Sequence, residues 1–196
     1  VTTECYVVRG RVGCCTLFSP PATFTWGPRR ARFPALGRPM NRTYDIVLHG
    51  ATGYAGRHAV DHLAKHAPEG IRWAVAGRNE DKLKSTLKER GAPDSTGIVV
   101  ADSADPASLD AMCGSARTLV TTVGPFFQYG TSVVEACIRQ GTDYVDITGE
   151  TPWVRGLIDR LQEEAVAKGV KLVPLAGFDS VPSDLGAFMC ARALQR

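Results

Sequence analysis

The 196-residue sequence has no uninterrupted apolar run approaching the roughly 18 residues that a membrane-crossing helix needs. It has no C-x-x-C pair, although it carries six cysteines; this argues against a zinc ribbon or a thioredoxin-type redox centre. No repeat of solenoid period is visible. Gly-x-Ser-x-Gly, His-Glu-x-x-His and Walker motifs are absent, which removes the common hydrolase, zinc-protease and phosphate-loop readings. Tyr44, Tyr54, Tyr129 and Tyr144 all lack a lysine four residues on, so the Tyr-x-x-x-Lys proton-transfer pair of short-chain dehydrogenases is missing too. Apolar and charged contents of 44% and 22% are those of an ordinary globular chain able to bury one good core.

The formal net charge of +3 is unevenly spread. Residues 1–39 hold six arginines against Glu4, a net of +5, which leaves 17 basic and 19 acidic residues beyond. The body is therefore mildly acidic and carries no nucleic-acid footprint. Residues 1–39 are rich in Arg, Pro, Gly and Cys and show no periodicity. They read as an unstructured or extraneous extension, with Met40 as the expected native start; a targeting arm or a basic tail touching a membrane is the functional alternative.

What is present begins at residue 44. Tyr44-Asp-Ile-Val-Leu-His runs straight into glycines at 50, 53 and 56, and an amphipathic pattern follows. A strand, a tight turn and a helix N-terminus in that order form the cradle for a pyrophosphate: Gly50 turns the chain, Gly53 admits the anion to the backbone, and Gly56 packs helix on sheet. Ala51, Thr52 and Tyr54 lie in the same turn. From there strand and helix patterns alternate. Strands are expected at 45–49, 71–76, 97–101, 117–123, 144–147 and 170–175, and helices at 56–67, 80–90, 105–114, 132–140, 152–168 and from 183. Short apolar strands separated by helices imply an α/β, Rossmann-type, doubly wound parallel sheet with helices on both faces and strand order 3-2-1-4-5-6. The expected division is 1–39 as the extension, 40–182 as the Rossmann domain and 183–196 as the start of a truncated substrate domain, so that the second domain is largely missing.

Which dinucleotide binds is read at the end of the second strand. Val75-Ala-Gly-Arg78-Asn79 offers no acidic residue for a free ribose 2′-hydroxyl. Arg78, with Asn79 beside it and Lys82 one turn on, suits the 2′-phosphate of NADP(H). Asp102 and Ser103 follow the third strand, where they would touch the adenine edge; capping the next turn explains Asp102 equally well. Val123-Gly124-Pro125 should lie beside the nicotinamide ribose. Glu150, Asp179 and Ser180 end the later loops and are candidates for substrate or nicotinamide contacts. No catalytic residue is recognisable and no metal is expected. His58, His62 and His66 stand at i, i+4, i+8, opposite the helix face formed by Gly56, Ala59, Val60, Leu63 and Ala64, and read as a solvent stripe. The cysteines read as small buried hydrophobes of a reducing cytoplasm.

The segments Tyr44–Gly56, Trp73–Asn79, Thr121–Gly130, Gly141–Glu150 and Val173–Gly186 together resemble the saccharopine dehydrogenase-like oxidoreductases, and within them the trans-acting enoyl reductase branch. The resemblance covers about 40–190. It implies an NADP(H)-binding Rossmann domain, a larger second domain in full-length members, and reduction of enoyl or carbonyl groups on a small-molecule or lipid substrate. It further implies peripheral membrane contact as an open alternative to the cytoplasmic location that the cysteines suggest, and the apolar surface uncovered by a missing partner domain would invite homodimerisation. A non-catalytic NADP(H) sensor and an inactive truncated fragment are the competing readings.

Overall fold

A computed structural model describes residues 41–195; the expectations for 1–39 and for Met40 lie outside the described residues. Six parallel strands, β1 (Tyr44–His49), β2 (Trp73–Gly77), β3 (Gly97–Val100), β4 (Ala116–Thr121), β5 (Asp143–Asp146) and β6 (Leu172–Val173), form one sheet in the order β3-β2-β1-β4-β5-β6. Six helices connect and follow them: α1 (Tyr54–His66), α2 (Glu80–Glu89), α3 (Pro106–Ser115), α4 (Phe126–Gln140), α5 (Thr151–Lys168) and α6 (Val181–Leu194). The strand order matches the expected doubly wound α/β arrangement: successive strands are added outward on one side from β1 to β3 and on the other from β4 to β6, all of them parallel.

Each face of the sheet has its own core. Leu48, Val60, Val75, Leu83 and Leu87 are buried under α1 and α2. Val47, Leu119, Met112, Val134, Ile138 and Leu157 are buried under α3, α4 and α5. Alternate residues of β1 thus serve opposite cores, the period-2 consequence of a strand covered on both sides. Gly56 and Val60 are buried, and Ala59, Leu63 and Ala64 pack partly buried against the first cluster, as the helix pattern predicted. Gly141 and Gly169 end α4 and α5 in the left-handed conformation. The buried Arg42 guanidinium donates to the carbonyls of Gly114 and Gln140 at the C-terminal ends of α3 and α4. It satisfies orphan acceptors where the helix dipoles favour a cation.

Three expectations are corrected. Helix α4 begins at Phe126 rather than at residue 132. Its first turn carries aromatic residues of middling helix propensity and Gly130, and it is held instead by contacts from α5. A Cβ on Gly130 would stand 2.6 Å from the Trp153 ring, so the glycine lets the two helices close, and Trp153 Nε1 donates to Thr131 Oγ1 at 3.0 Å. Strand β6 spans only Leu172–Val173, because Pro174 has no N–H for the ladder and Leu175 turns to φ 61°. Cys113 and Cys137 are buried as expected, with sulfurs 3.6 Å apart, but Cys190 is exposed on α6. That helix has no buried residue and leaves Leu185, Phe188 and Met189 open.

Candidate functional site

The carboxyl ends of the six strands form one rim, and the turn after β1 stands at its centre. Gly50 adopts φ 88°, and a Cβ there would lie 2.7 Å from Val123 Cγ2. Both the twist of the turn and its contact with the β4–α4 loop therefore require glycine. Gly56 is fixed by packing as well, since a Cβ would meet Gly50 O at 2.1 Å. Gly53 differs. Its φ of −74° and ψ of 172° suit any residue, and its Cβ would meet only Gly50 O, at 3.4 Å. Nothing in the protein's own packing demands glycine at 53.

Gly53 is also the N-cap of α1. No side chain caps this helix, and its first turn holds no acidic residue. The neighbouring helices are closed by their own residues. Asn79 Oδ1 accepts from Lys82 N at 2.9 Å at the start of α2, whose first turn carries Glu80 and Asp81. Asp105 Oδ1 accepts from Ala107 N at 3.0 Å at the start of α3. The N-terminus of α1 thus offers unopposed positive potential to an anion. Ala51 is buried beneath the turn, Thr52 O accepts from Arg57 Nε at 3.1 Å, and the Tyr54 ring is exposed, edge-on to His58 at 5.0 Å.

On the β2 side of the turn, Arg78 is exposed and pairs with no acidic residue among the described residues. Asn79 stands beside it, committed through Oδ1 to the cap. Asp102 follows β3 on the rim and closes the turn after it, its Oδ1 accepting from Ala104 N at 3.0 Å; Ser103 follows, half-exposed.

On the β4 side, Thr122 N donates to His49 O at 3.0 Å, which carries the β1–β4 pairing one residue beyond the strands. His49 is buried at the end of β1, with Nδ1 3.2 Å from Thr121 Oγ1. Burial lowers its pKa to about 4, so the ring is neutral at physiological pH. Thr121 Oγ1 in turn accepts from Val123 N at 3.3 Å. Gly124 and Pro125, joined by a cis peptide bond, are exposed and lead into α4.

The residues at the ends of β5 and β6 are tied together by carboxylates. Asp146 is fully buried; Oδ1 accepts from Thr148 N and from Leu175 N, both at 3.0 Å, and Oδ2 accepts from Tyr144 OH at 2.7 Å. Burial pushes the Asp146 carboxyl above its ordinary value, opposed by these three donors, and pushes the Tyr144 phenol far up. Glu150 reaches across to α4: Oε1 accepts from Phe126 N at 2.9 Å and Oε2 from Phe127 N at 2.7 Å. Asp179 lies against Gly149, where a Cβ would stand 3.5 Å from its Oδ2, and Ser180 precedes α6 without capping it through its side chain. The sequence pattern brought Glu150, Asp179 and Ser180 to one side of the rim. It did not reveal the bonds of Asp146 and Glu150, whose partners are up to 29 residues away. The histidines at 58, 62 and 66 are all exposed along α1.

Residues 46–173, which hold the glycine turn, both cores and the rim as far as the end of β6, match the family model described as the saccharopine dehydrogenase NADP binding domain. The chain belongs to that family. NADP(H) is accordingly its cofactor, and the glycine turn and Arg78 fit one. The chain is 42% identical over 156 residues to the trans-acting enoyl reductase of Mycobacterium leprae and 40% identical over 156 residues to that of Mycobacterium tuberculosis. Each match covers 79% of this chain and 37% of the relative, so the chain spans little more than a third of the relatives it matches. Among solved structures, the apo saccharopine dehydrogenase (L-Glu forming) of Saccharomyces cerevisiae superposes with a TM-score of 0.65 at 23% identity, over 78% of this chain and 32% of that one. The triphenylmethane reductase of Citrobacter sp., complexed with NADP(H), superposes with a TM-score of 0.50 at 20% identity, over 66% of this chain and 48% of that one. Both likenesses bear on the fold. No helix among the described residues is long and apolar enough to cross a membrane.

Proposed function

We propose that this chain is the NADPH-holding part of an oxidoreductase that reduces an enoyl or carbonyl group of a lipid-like substrate. The observation that carries the reading is Gly53, a glycine whose backbone angles and surroundings tolerate a side chain, at the head of a helix that nothing caps. The turn from Gly50 to Gly56 holds the pyrophosphate on the N–H groups of α1. Arg78 forks onto the ribose 2′-phosphate, with Asn79 beside it. Asp102 and Ser103 border the adenine, and Val123, Gly124 and Pro125 border the nicotinamide ribose. Bound NADPH supplies the hydride, and the protein's part is to place it and to exclude competing acceptors. Residues 40–182 form the cofactor domain, and 183–196 begin the substrate domain, a reading supported by the unburied apolar side chains of α6. The enoyl substrate class rests on the names of the mycobacterial relatives.

The test is a calorimetric titration of the 196-residue protein with NADPH and with NADH. Binding of NADPH and much weaker binding of NADH support the cofactor site; binding of neither by folded protein overturns it. NADPH consumption in the presence of a 2-enoyl acyl substrate then separates a reductase from a domain that binds the cofactor without turning it over.

A further inference from the structure

The N-terminus of α4 opens on the same rim as that of α1. Its first turn has no acidic residue and its N-cap, Pro125, offers no side-chain acceptor. The acceptors come from Glu150, on the loop after the next strand, whose two carboxylate oxygens receive the N–H groups of Phe126 and Phe127. Glu150 is itself held: its N–H donates to Thr148 Oγ1 at 3.0 Å, and Thr148 N donates to Asp146 Oδ1 at 3.0 Å. Asp146 Oδ1 also receives Leu175 N–H, so three loops of the rim hang on two carboxylates. Asp179 Oδ2 lies nearby, against Gly149.

We infer that Glu150 is a positioning residue for the nicotinamide half of the cofactor. It acts as an internal anion that fixes Val123, Gly124 and Pro125 by gripping the first two N–H groups after them. This rests on the cofactor reading above and deepens it. A paired carboxylate on two backbone N–H groups is a strong, directional contact, and it fills the place an outside anion would take at this helix end. The pyrophosphate is thereby left to α1. Without Glu150 the two N–H groups face solvent, the loop samples other conformations, and apparent affinity falls by the fraction of time it spends in the competent one.

The test compares the affinities of the wild-type protein, Glu150→Ala and Glu150→Gln for NADPH and for adenosine 2′,5′-bisphosphate, which lacks the nicotinamide half. The expected result is a loss of about tenfold in NADPH affinity for Glu150→Ala with unchanged affinity for the bisphosphate. Glu150→Gln, which keeps one carbonyl acceptor, should fall between wild type and Glu150→Ala, and it carries the test alone if the alanine variant does not fold. An equal loss for both ligands would make Glu150 a general stability element and overturn the inference; so would no loss for either. Wild-type protein that binds neither ligand would overturn the cofactor reading before any variant is made.

Discussion

The two halves of the rim solve the same problem in opposite ways. On the β1–β2 side, α1 is left uncapped, Gly53 is left without a side chain the fold could accommodate, and Arg78 projects into solvent. On the β4–β6 side, Asp146 and Glu150 answer four backbone N–H donors at the ends of β4, β5 and β6 and the hydroxyl of Tyr144 within β5. The open half has potential to spare for an anion; the closed half has given its acceptors to its own backbone. This division suits a ligand whose phosphates must be gripped at one end and whose reacting ring must be held against a firm surface at the other.

The open half is most vulnerable at Gly56. Gly56→Ala places a methyl group 2.1 Å from Gly50 O, against backbone that cannot move without opening the turn. A stability loss of about 3 kcal/mol is expected in urea unfolding, and NADPH binding should go with it.

Removing Arg78 tests the open half without touching the fold. Arg78→Ala should weaken NADPH binding by about 2 kcal/mol, the worth of a charged fork on a phosphate. NADH binding and melting temperature should be unchanged, because the side chain is exposed and unpaired among the described residues.

His49 lies at the seam of the halves and makes it sensitive to acid. Its folded pKa of about 4 lies below the unfolded value of 6.5. The unfolded chain therefore binds the proton first, and stability falls as pH drops from 6.5 towards 4. Between roughly pH 7.5 and pH 5 the loss is about 2 kcal/mol, measurable as the difference in urea midpoints. His49→Asn should flatten that part of the profile. Asp146 works in the other sense: its raised carboxyl costs stability as pH climbs from 3.8 through the higher folded value.

The smallest of these effects is at Asn79. Losing its cap to Lys82 N in Asn79→Ala should cost about 1 kcal/mol in thermal unfolding. A larger loss in NADPH affinity than in stability would show that its amide also serves the ligand.

The open half was legible in the sequence because its signals are local. Glycines at 50, 53 and 56 and an arginine after the second strand stand next to the elements they terminate, and alternating short apolar strands and helices led to the observed strand order. The closed half was legible only as a set of polar loops. Glu150 and Asp146 act on backbone groups more than 20 residues distant, and no periodicity encodes such a contact. The early start of α4 was hidden for the same reason: Trp153 and Glu150, both outside the helix, stabilise a turn that propensity does not favour. Pro174 did mark the end of β6, but the apolar run around it outweighed that signal.

Gly53 is a glycine that the ligand, and not the fold, requires. Thermal melts and NADPH titrations of the wild-type protein and Gly53→Ala, run side by side, test it most directly. A melting temperature within a few degrees of wild type is expected, because the new Cβ meets only Gly50 O at 3.4 Å and alanine for glycine at an N-cap costs no more than about 1 kcal/mol, together with a severe loss of NADPH affinity. A variant that melts well below wild type, or one that binds NADPH as tightly as wild type, would contradict it.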